Sequence, residues 1–440
     1  MKRFLKILFS LTICFTFFNT ALTFAKENEP IVDAEGMVLI DATTGTILAE
    51  KNSDKKLAPA STTKVMTALL VLENTKLNDI VTVGKNPPFA DGSSIALKEN
   101  DQYTVEELLY ALLLESSNDS AMALAEHISG SEEKFAKLMN KRAKELGATN
   151  TNFVNASGLY DDNHYTTATD LSLIMREAIK NKDYLRISKT ITYELPESKV
   201  DGATKWVNNT TSMINPNSSS YYEHLIATKT GYTELAKCSF VAAAKKGNQT
   251  LISVLLKSEL KANNFTDTKA LMDYGFDNYG LVKIINKGDE VSSIAVNNDT
   301  KVPLLASDDV YYLTENDSTS FSRSKTISTD DNISTNIKLE NKDLNNITLK
   351  KGEEVLNSEI LVNNKTIIHL PLLSGVDVSP SPLKKSINFI KSNILIILAV
   401  LVLLLIIIFI IKDRLFRMRY RKRYKKIIFK SKNRRNKLRW

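Results

Sequence analysis

Cysteine is nearly missing from this 440-residue chain, which has only Cys14 and Cys238. Two thiols exclude a disulfide framework, a cysteine-rich zinc site and an iron–sulfur cluster. Histidine is almost as scarce. His127, His164, His224 and His369 lie far apart and form no His-Glu-x-x-His pair, which argues against a zinc hydrolase. No metal and no organic cofactor is expected. Glycine is sparse at 15 residues, so a glycine inside a polar tripeptide stands out. Positive charge is also missing from most of the chain. The net charge is +8, but residues 412–440 carry +14 and residues 1–25 carry +3, which leaves −9 for residues 26–411. An acidic body argues against a nucleic-acid partner. There is no internal repeat. With 43% apolar and 25% charged residues the chain is not disordered, and its length suggests two or three domains.

Two apolar segments set the expected address. Lys2, Arg3 and Lys6 precede an apolar run from Ile7 to Phe18, and small residues follow up to Ala25. That is the pattern of a secretion signal, here residues 1–25, too short in its core to span a bilayer. The second segment, Ile394–Ile411, is 18 apolar residues without a charge, and Lys412, Arg414, Arg417, Arg419 and Arg421 follow at once. It predicts a membrane-spanning helix at 393–411 with a basic cytoplasmic tail at 412–440, because positive charge marks the cytoplasmic side. The rest is then expected outside the cell, as a single-pass cell-membrane protein. The tail reads chiefly as a stop-transfer signal rather than a lipid-binding device.

The exported part divides in two. Met37–Asp41 and Thr46–Glu50 read as a hairpin. Apolar spacing at Val65, Met66, Leu69, Leu70 and Leu72 predicts a helix that starts near Ser61. Thr104-Val105-Glu106-Glu107 looks like a capping box opening a helix to Leu114. Further helices are expected over Ala121–Ile128, from Ser131 to Gly147, and over Ala168–Lys180. From Leu225 the period changes to that of strands, with Leu225–Thr230, Cys238–Lys245 and Thr250–Lys257 antiparallel, and a closing helix at Lys269–Phe276. Residues 280–376, rich in Val, Ile, Asn, Thr and Asp, read as a separate small β-rich domain. Ser379-Pro380-Ser381-Pro382 marks a stiff linker within 377–392.

Three short motifs carry the candidate chemistry. In Ser61-Thr62-Thr63-Lys64 the serine and lysine share a helix face, and a desolvated Lys64 can take the hydroxyl proton. Ser-x-x-Lys alone is weak, since it occurs six times here, at Ser53, Ser61, Ser131, Ser258, Ser322 and Ser381. Ser116-Ser117-Asn118, in a break between helices, can point a hydroxyl and an amide into a cleft or simply cap a helix. Lys229-Thr230-Gly231 occurs once. At a strand edge it offers N–H groups to an extended peptide, a cation and a hydroxyl to a carboxylate, and space for close approach at Gly231.

Taken in this order, the motifs resemble the signature of penicillin-recognising serine enzymes, and specifically the low-molecular-mass penicillin-binding proteins that are D-alanyl-D-alanine carboxypeptidases. The stretches Ala58–Lys64, Gly147–Thr151, Ser157-Gly158-Leu159, Tyr165–Ala168 and Asp273–Phe276 extend the likeness across about residues 30–376. The resemblance implies an α/β fold: a β-lactamase/transpeptidase-like domain at 26–279, with an antiparallel sheet flanked by helices, followed by the small all-β domain and the transmembrane helix. It implies Ser61, Lys64 and Ser116 as catalytic residues, with Asn118, Lys229, Thr230, Gly231 and Tyr232 binding substrate. The expected substrate is a peptidoglycan stem peptide ending in D-Ala-D-Ala, the expected inhibitors are β-lactams, and the expected role is in cell-wall biogenesis and remodelling. Ser61 would be acylated, the backbone N–H groups of Ser61 and Tyr232 would hold the oxyanion, and water would release the product. The chain departs from the family pattern in three places. Tyr232 stands where a histidine often follows the third motif. Leu256–Glu259 lacks a glycine-rich turn. The C-terminal segment spans the membrane instead of lying on it. A β-lactamase, a D,D-endopeptidase or transpeptidase, and a non-catalytic wall-binding scaffold are the rival readings. The extra β domain, the anchor and the intact motif residues weigh against the first and the last.

Overall fold

In the computed structural model residues 29–297, 300–315, 334–344, 347–380, 386 and 389–436 are described. The expected secretion signal, part of the 377–392 linker and the last four residues lie outside them. The chain forms two compact units, one up to Lys283 together with 311–327 and one of 284–310 with 328–440.

The first unit begins with the expected hairpin, β1 (Gly36–Asp41) and β2 (Ile47–Lys51). A 3-10 turn at Ala60–Thr63 then runs into α1 (Lys64–Asn74). β3 (Ile80–Thr82) pairs with β4 (Gln102–Thr104). The Thr104 capping box is formed from both sides and opens α2 (Val105–Tyr110). The helix does not continue regularly to Leu114. It widens into a π turn over Ala111–Glu115 and ends at Ser116, whose φ is +66°. Such turns concentrate at functional sites. α3 (Asn118–Ser129), α4 (Glu132–Glu145), α5 (Ala168–Ala178) and α6 (Lys182–Ser188) complete a helical layer. β5 (Thr192–Leu195) and β6 (Lys205–Asn208) form a small ladder. β7 (Leu225–Thr233), β8 (Lys237–Lys246) and β9 (Gln249–Ser258) are the three expected strands. The closing helix, α7 (Lys261–Asn278), is eight residues longer at its start than the apolar spacing predicted, because Ala262 and Phe265 are the only apolar residues in its first two turns.

The main sheet has the order β2-β1-β9-β8-β7 and is antiparallel throughout. Both of its faces are buried. Val38, Ile40, Val241, Ala243, Ile252 and Val254 join the core under the helical layer, while Met37, Leu39, Phe240, Ala242, Leu251 and Leu255 join a second core with α7. The two sets alternate along each strand with the period of two that a pleat imposes. β7 is left at the sheet edge, with one side of its backbone unpaired by the sheet.

The second unit contains a five-stranded antiparallel sheet in the order Glu290–Val296, Thr300–Ala306, Lys365–Ser374, Glu354–Val362, Thr335–Leu339. Its core gathers Val302, Leu304, Leu356, Ile360, Leu370 and Leu372. A single helix runs from Ile394 to Asn436. Its segment Ile394–Arg423 is long and apolar enough to cross a membrane. No change of structure marks Lys412, because Lys and Arg are good helix formers and the helix passes through them.

Candidate active site

The turn that carries Ser61 is clamped by two absent side chains. Gly158 has φ +85°, and a Cβ there would lie 1.9 Å from the carbonyl oxygen of Ala60. A Cβ on Gly231 would lie 2.9 Å from the Ser61 nitrogen and 3.0 Å from the Pro59 oxygen. Ala60 itself sits at φ +49°, a conformation that costs an L-residue about 1–2 kcal/mol and is held by its surroundings. Gly231 lines the cleft as expected, but its missing side chain admits the nucleophile's own backbone rather than substrate.

Beneath the turn, Thr63 Oγ1 and His164 Nε2 are 2.9 Å apart, and the Val154 N–H donates to His164 Nδ1 at 3.2 Å. Since Nδ1 accepts, Nε2 carries the proton and donates to Thr63. Burial pushes the His164 pKa down to about 4. The folded state therefore binds fewer protons than the unfolded chain between pH 4 and 6.5. Its contribution is complete above about pH 6.5, and about 3 kcal/mol is lost as the pH falls toward 4. Urea unfolding at pH 7 and pH 4.5 checks this. A His164→Gln variant is expected to lose that part of the pH dependence, and an unchanged difference between the two pH values would refute the assignment.

Lys64 is fully buried and its amine meets three groups: Ser61 Oγ at 2.9 Å, Asn118 Oδ1 at 2.6 Å and the Ser157 carbonyl at 2.6 Å. Asn118 Oδ1 and the Ser157 oxygen can only accept. A neutral amine has two N–H bonds and one lone pair. If both N–H bonds go to these acceptors, the lone pair is aimed at the Ser61 hydroxyl. Burial first, and the nearby Lys229 charge second, hold Lys64 well below the usual lysine range, while Asp119 and Glu132 act the other way. The amide of Asn118 also donates through Nδ2 to the Asp91 carbonyl at 2.5 Å.

The remaining motif residues close the cleft. Ser117, not Ser116, caps α3 by accepting the Ser120 N–H. Ser116 is thereby released toward Lys229, whose amine donates to Ser116 Oγ at 3.0 Å and to the Thr230 carbonyl at 2.9 Å. Burial, helped by the charge of Lys261, brings the Lys229 pKa down to about 7. Thr230 Oγ1 lies 2.8 Å from Thr210 Oγ1. A cleft of about 550 Å³ is lined by Ser61, Ser116, Thr230, Gly231, Tyr232 and Lys261 among others. Tyr232 is exposed at its rim. All eight residues singled out from the sequence thus fall at one place. Among the described residues no cluster of three or more metal-ligating side chains exists.

The motifs did not reveal Thr210, Ser157, Glu132 or Lys261. Lys261 donates to the Thr210 carbonyl at 3.0 Å and adds a second cation to the cleft. Its only signal was a Ser-x-x-Lys match at Ser258, hidden among five others. Ser157 acts through its carbonyl, which no side-chain motif records.

Comparison with known proteins identifies the family and the fold. Residues 23–259 match the D-alanyl-D-alanine carboxypeptidase family, and residues 279–380 match the C-terminal domain of penicillin-binding protein 5. The chain is 35% identical over 369 residues to D-alanyl-D-alanine carboxypeptidase DacF of Bacillus subtilis (strain 168), covering 81% of this chain and 92% of that protein. Among solved structures, penicillin-binding protein 5 of Haemophilus influenzae superposes with a TM-score of 0.65 at 28% identity, covering 80% of this chain and 99% of that one. A mutant of the Streptomyces K15 DD-transpeptidase gives a TM-score of 0.53 at 32% identity, covering 56% and 99%.

Proposed function

This chain belongs to the D-alanyl-D-alanine carboxypeptidase family of serine peptidases, and on that premise we propose how its own residues carry the reaction. The stem peptide lies along the free edge of β7, adding a strand to the sheet. Its terminal carboxylate meets Thr230 and the Lys229 cation, with Lys261 beyond. Ser61 Oγ attacks the penultimate carbonyl carbon while Lys64 takes the hydroxyl proton. The backbone N–H groups of Ser61 and Tyr232 receive the oxyanion. Ser116 passes a proton to the departing amine, the C–N bond breaks, and D-alanine leaves. Asn118 orients the peptide through its amide. Water then attacks the ester, returning the proton to Ser61 and releasing the shortened peptide. A β-lactam enters by the same acylation and stalls at the second step.

The observation that carries this reading is the Lys64 amine, whose acceptor-only neighbours at 2.6 Å leave its lone pair for Ser61. The proposal extends to the layout of the chain: a catalytic domain at 26–279, a β-rich domain at 280–376, and a membrane anchor at 393–411 that keeps both outside the cell and the basic tail inside. Positive charge after the apolar helix supports that orientation. Mass spectrometry of the full chain in detergent, with a pentapeptide and with penicillin, tests the chemistry. The expected results are loss of one D-alanine from the peptide and a long-lived adduct on the fragment that contains Ser61. Rapid turnover of the β-lactam without an adduct would favour a β-lactamase, and an adduct on another residue would overturn the assignment.

A further inference from the structure

The directional needs of the Lys64 amine lead to a carboxylate that no motif contains. The Ser157 carbonyl accepts from Lys64 at 2.6 Å and belongs to a turn whose other polar backbone groups are tied down. Asn155 Oδ1 accepts the N–H groups of Ser157, Gly158 and Leu159 at 2.7–3.2 Å. Thr67 Oγ1 donates to the Ala156 carbonyl at 2.6 Å. The Ala156 N–H donates to Glu132 Oε1 at 3.0 Å. Glu132 is the first residue of α4, where the helix N-terminus favours negative charge.

The charged groups that face Lys64 come from three elements: Lys229 on β7, Asp119 on α3 and Glu132 on α4. His164, from the loop before α5, is neutral. Glu132 in turn faces Glu133 and Glu126 as well as Lys64, and burial raises its own pKa while the Ala156 N–H opposes that rise. Asp119 is engaged by the Ser94 hydroxyl and by the backbone N–H groups of Leu97 and Ser120. Glu132 therefore acts on Lys64 in two ways, through the turn and through its charge.

We propose that Glu132 is a positioning residue for acylation: it anchors the turn that presents the Ser157 carbonyl to Lys64, and its negative charge favours the ammonium form of that lysine. The inference rests on the reading of Lys64 as the base. Two variants separate the two actions. Glu132→Gln keeps a carbonyl acceptor for the Ala156 N–H and removes the charge. Glu132→Ala removes both.

The readout is the second-order rate of acylation by a fluorescent penicillin, measured on the full chain across about pH 5–9. In the wild type the rate is expected to rise with pH to a plateau as Lys64 loses its proton, and to fall on a separate alkaline limb as Lys229 loses its own near pH 7. Glu132→Gln is expected to move that acid limb to lower pH, since the charge that favoured the ammonium is gone. A merely structural role would lower the plateau and leave the limb in place. Glu132→Ala is expected to lower the plateau by roughly 10- to 100-fold through loss of lone-pair orientation. Acylation of a Lys64→Ala variant at the wild-type rate would refute Lys64 as the base. A wild type with the limb, on which the Glu132→Gln profile superimposes, overturns the Glu132 proposal and leaves the base standing. Wild-type acylation by Glu132→Ala overturns it too.

Discussion

Ser61→Ala is expected to lose D-alanine release by roughly 10⁵-fold or more and to give no penicillin adduct at all. The two losses share one cause. Both reactions need the oxygen that becomes the ester, and no other hydroxyl stands 2.9 Å from the Lys64 amine among the described residues. The fold should survive. Alanine fits the turn, Thr62 still donates to the Pro59 oxygen at 2.7 Å, and Lys64 keeps its two carbonyl acceptors. Intact-mass analysis with penicillin and a D-alanine assay check the chemistry, and a thermal melt checks the fold. Full acylation of the variant would remove Ser61 from the mechanism.

Lys229→Met is expected to move two measurements in opposite directions. Acylation should fall by about 10²–10³-fold, because a buried cation that meets a carboxylate is worth several kcal/mol and methionine offers none. Stability at neutral pH should rise. The folded state holds the Lys229 pKa near 7, against an ordinary value of 10.5, so it binds fewer protons than the unfolded chain between those values. Stability then increases with pH across that window, and below pH 7 the whole cost of a buried ammonium is present. Methionine fills similar space without the charge. The gain should be largest below pH 7, fade toward pH 10.5, and appear as about 2–4 °C in Tm for each kcal/mol recovered. Unchanged acylation would refute the carboxylate role. A lower Tm at pH 6 would refute the strained cation.

The pairing of activity with strain explains what the sequence made legible. Side-chain chemistry announces itself: Ser61, Lys64, Ser116, Asn118 and Lys229 were found because three short motifs, only the last of them rare, stood in a recognisable order. The strands were also plain, since Val38 and Ile40 face one core while Met37 and Leu39 face the other. What stayed hidden works through backbone or through neutral context. The stretch Ser157-Gly158-Leu159 added to the likeness, but the role of the Ser157 carbonyl, the tautomer of His164 and the clamp at Gly158 have no residue type that betrays them. The first half of α7 was missed because Lys261, Ala262, Asn263 and Asn264 show no apolar period, although Lys261 reaches the cleft. The N-terminal hairpin was read correctly, but its place beside β9 depends on a pairing some 210 residues apart in the chain, which local pattern does not encode.

The clamp on the nucleophile's turn has an evolutionary consequence. Any side chain at 158 or 231 would collide with the backbone of Ala60 or Ser61, so neither codon can drift without displacing the attacking oxygen. A cell under antibiotic pressure cannot reshape the floor of this site by mutating those two positions. Tyr232 and Leu260, exposed at the rim, have side chains outside that clamp.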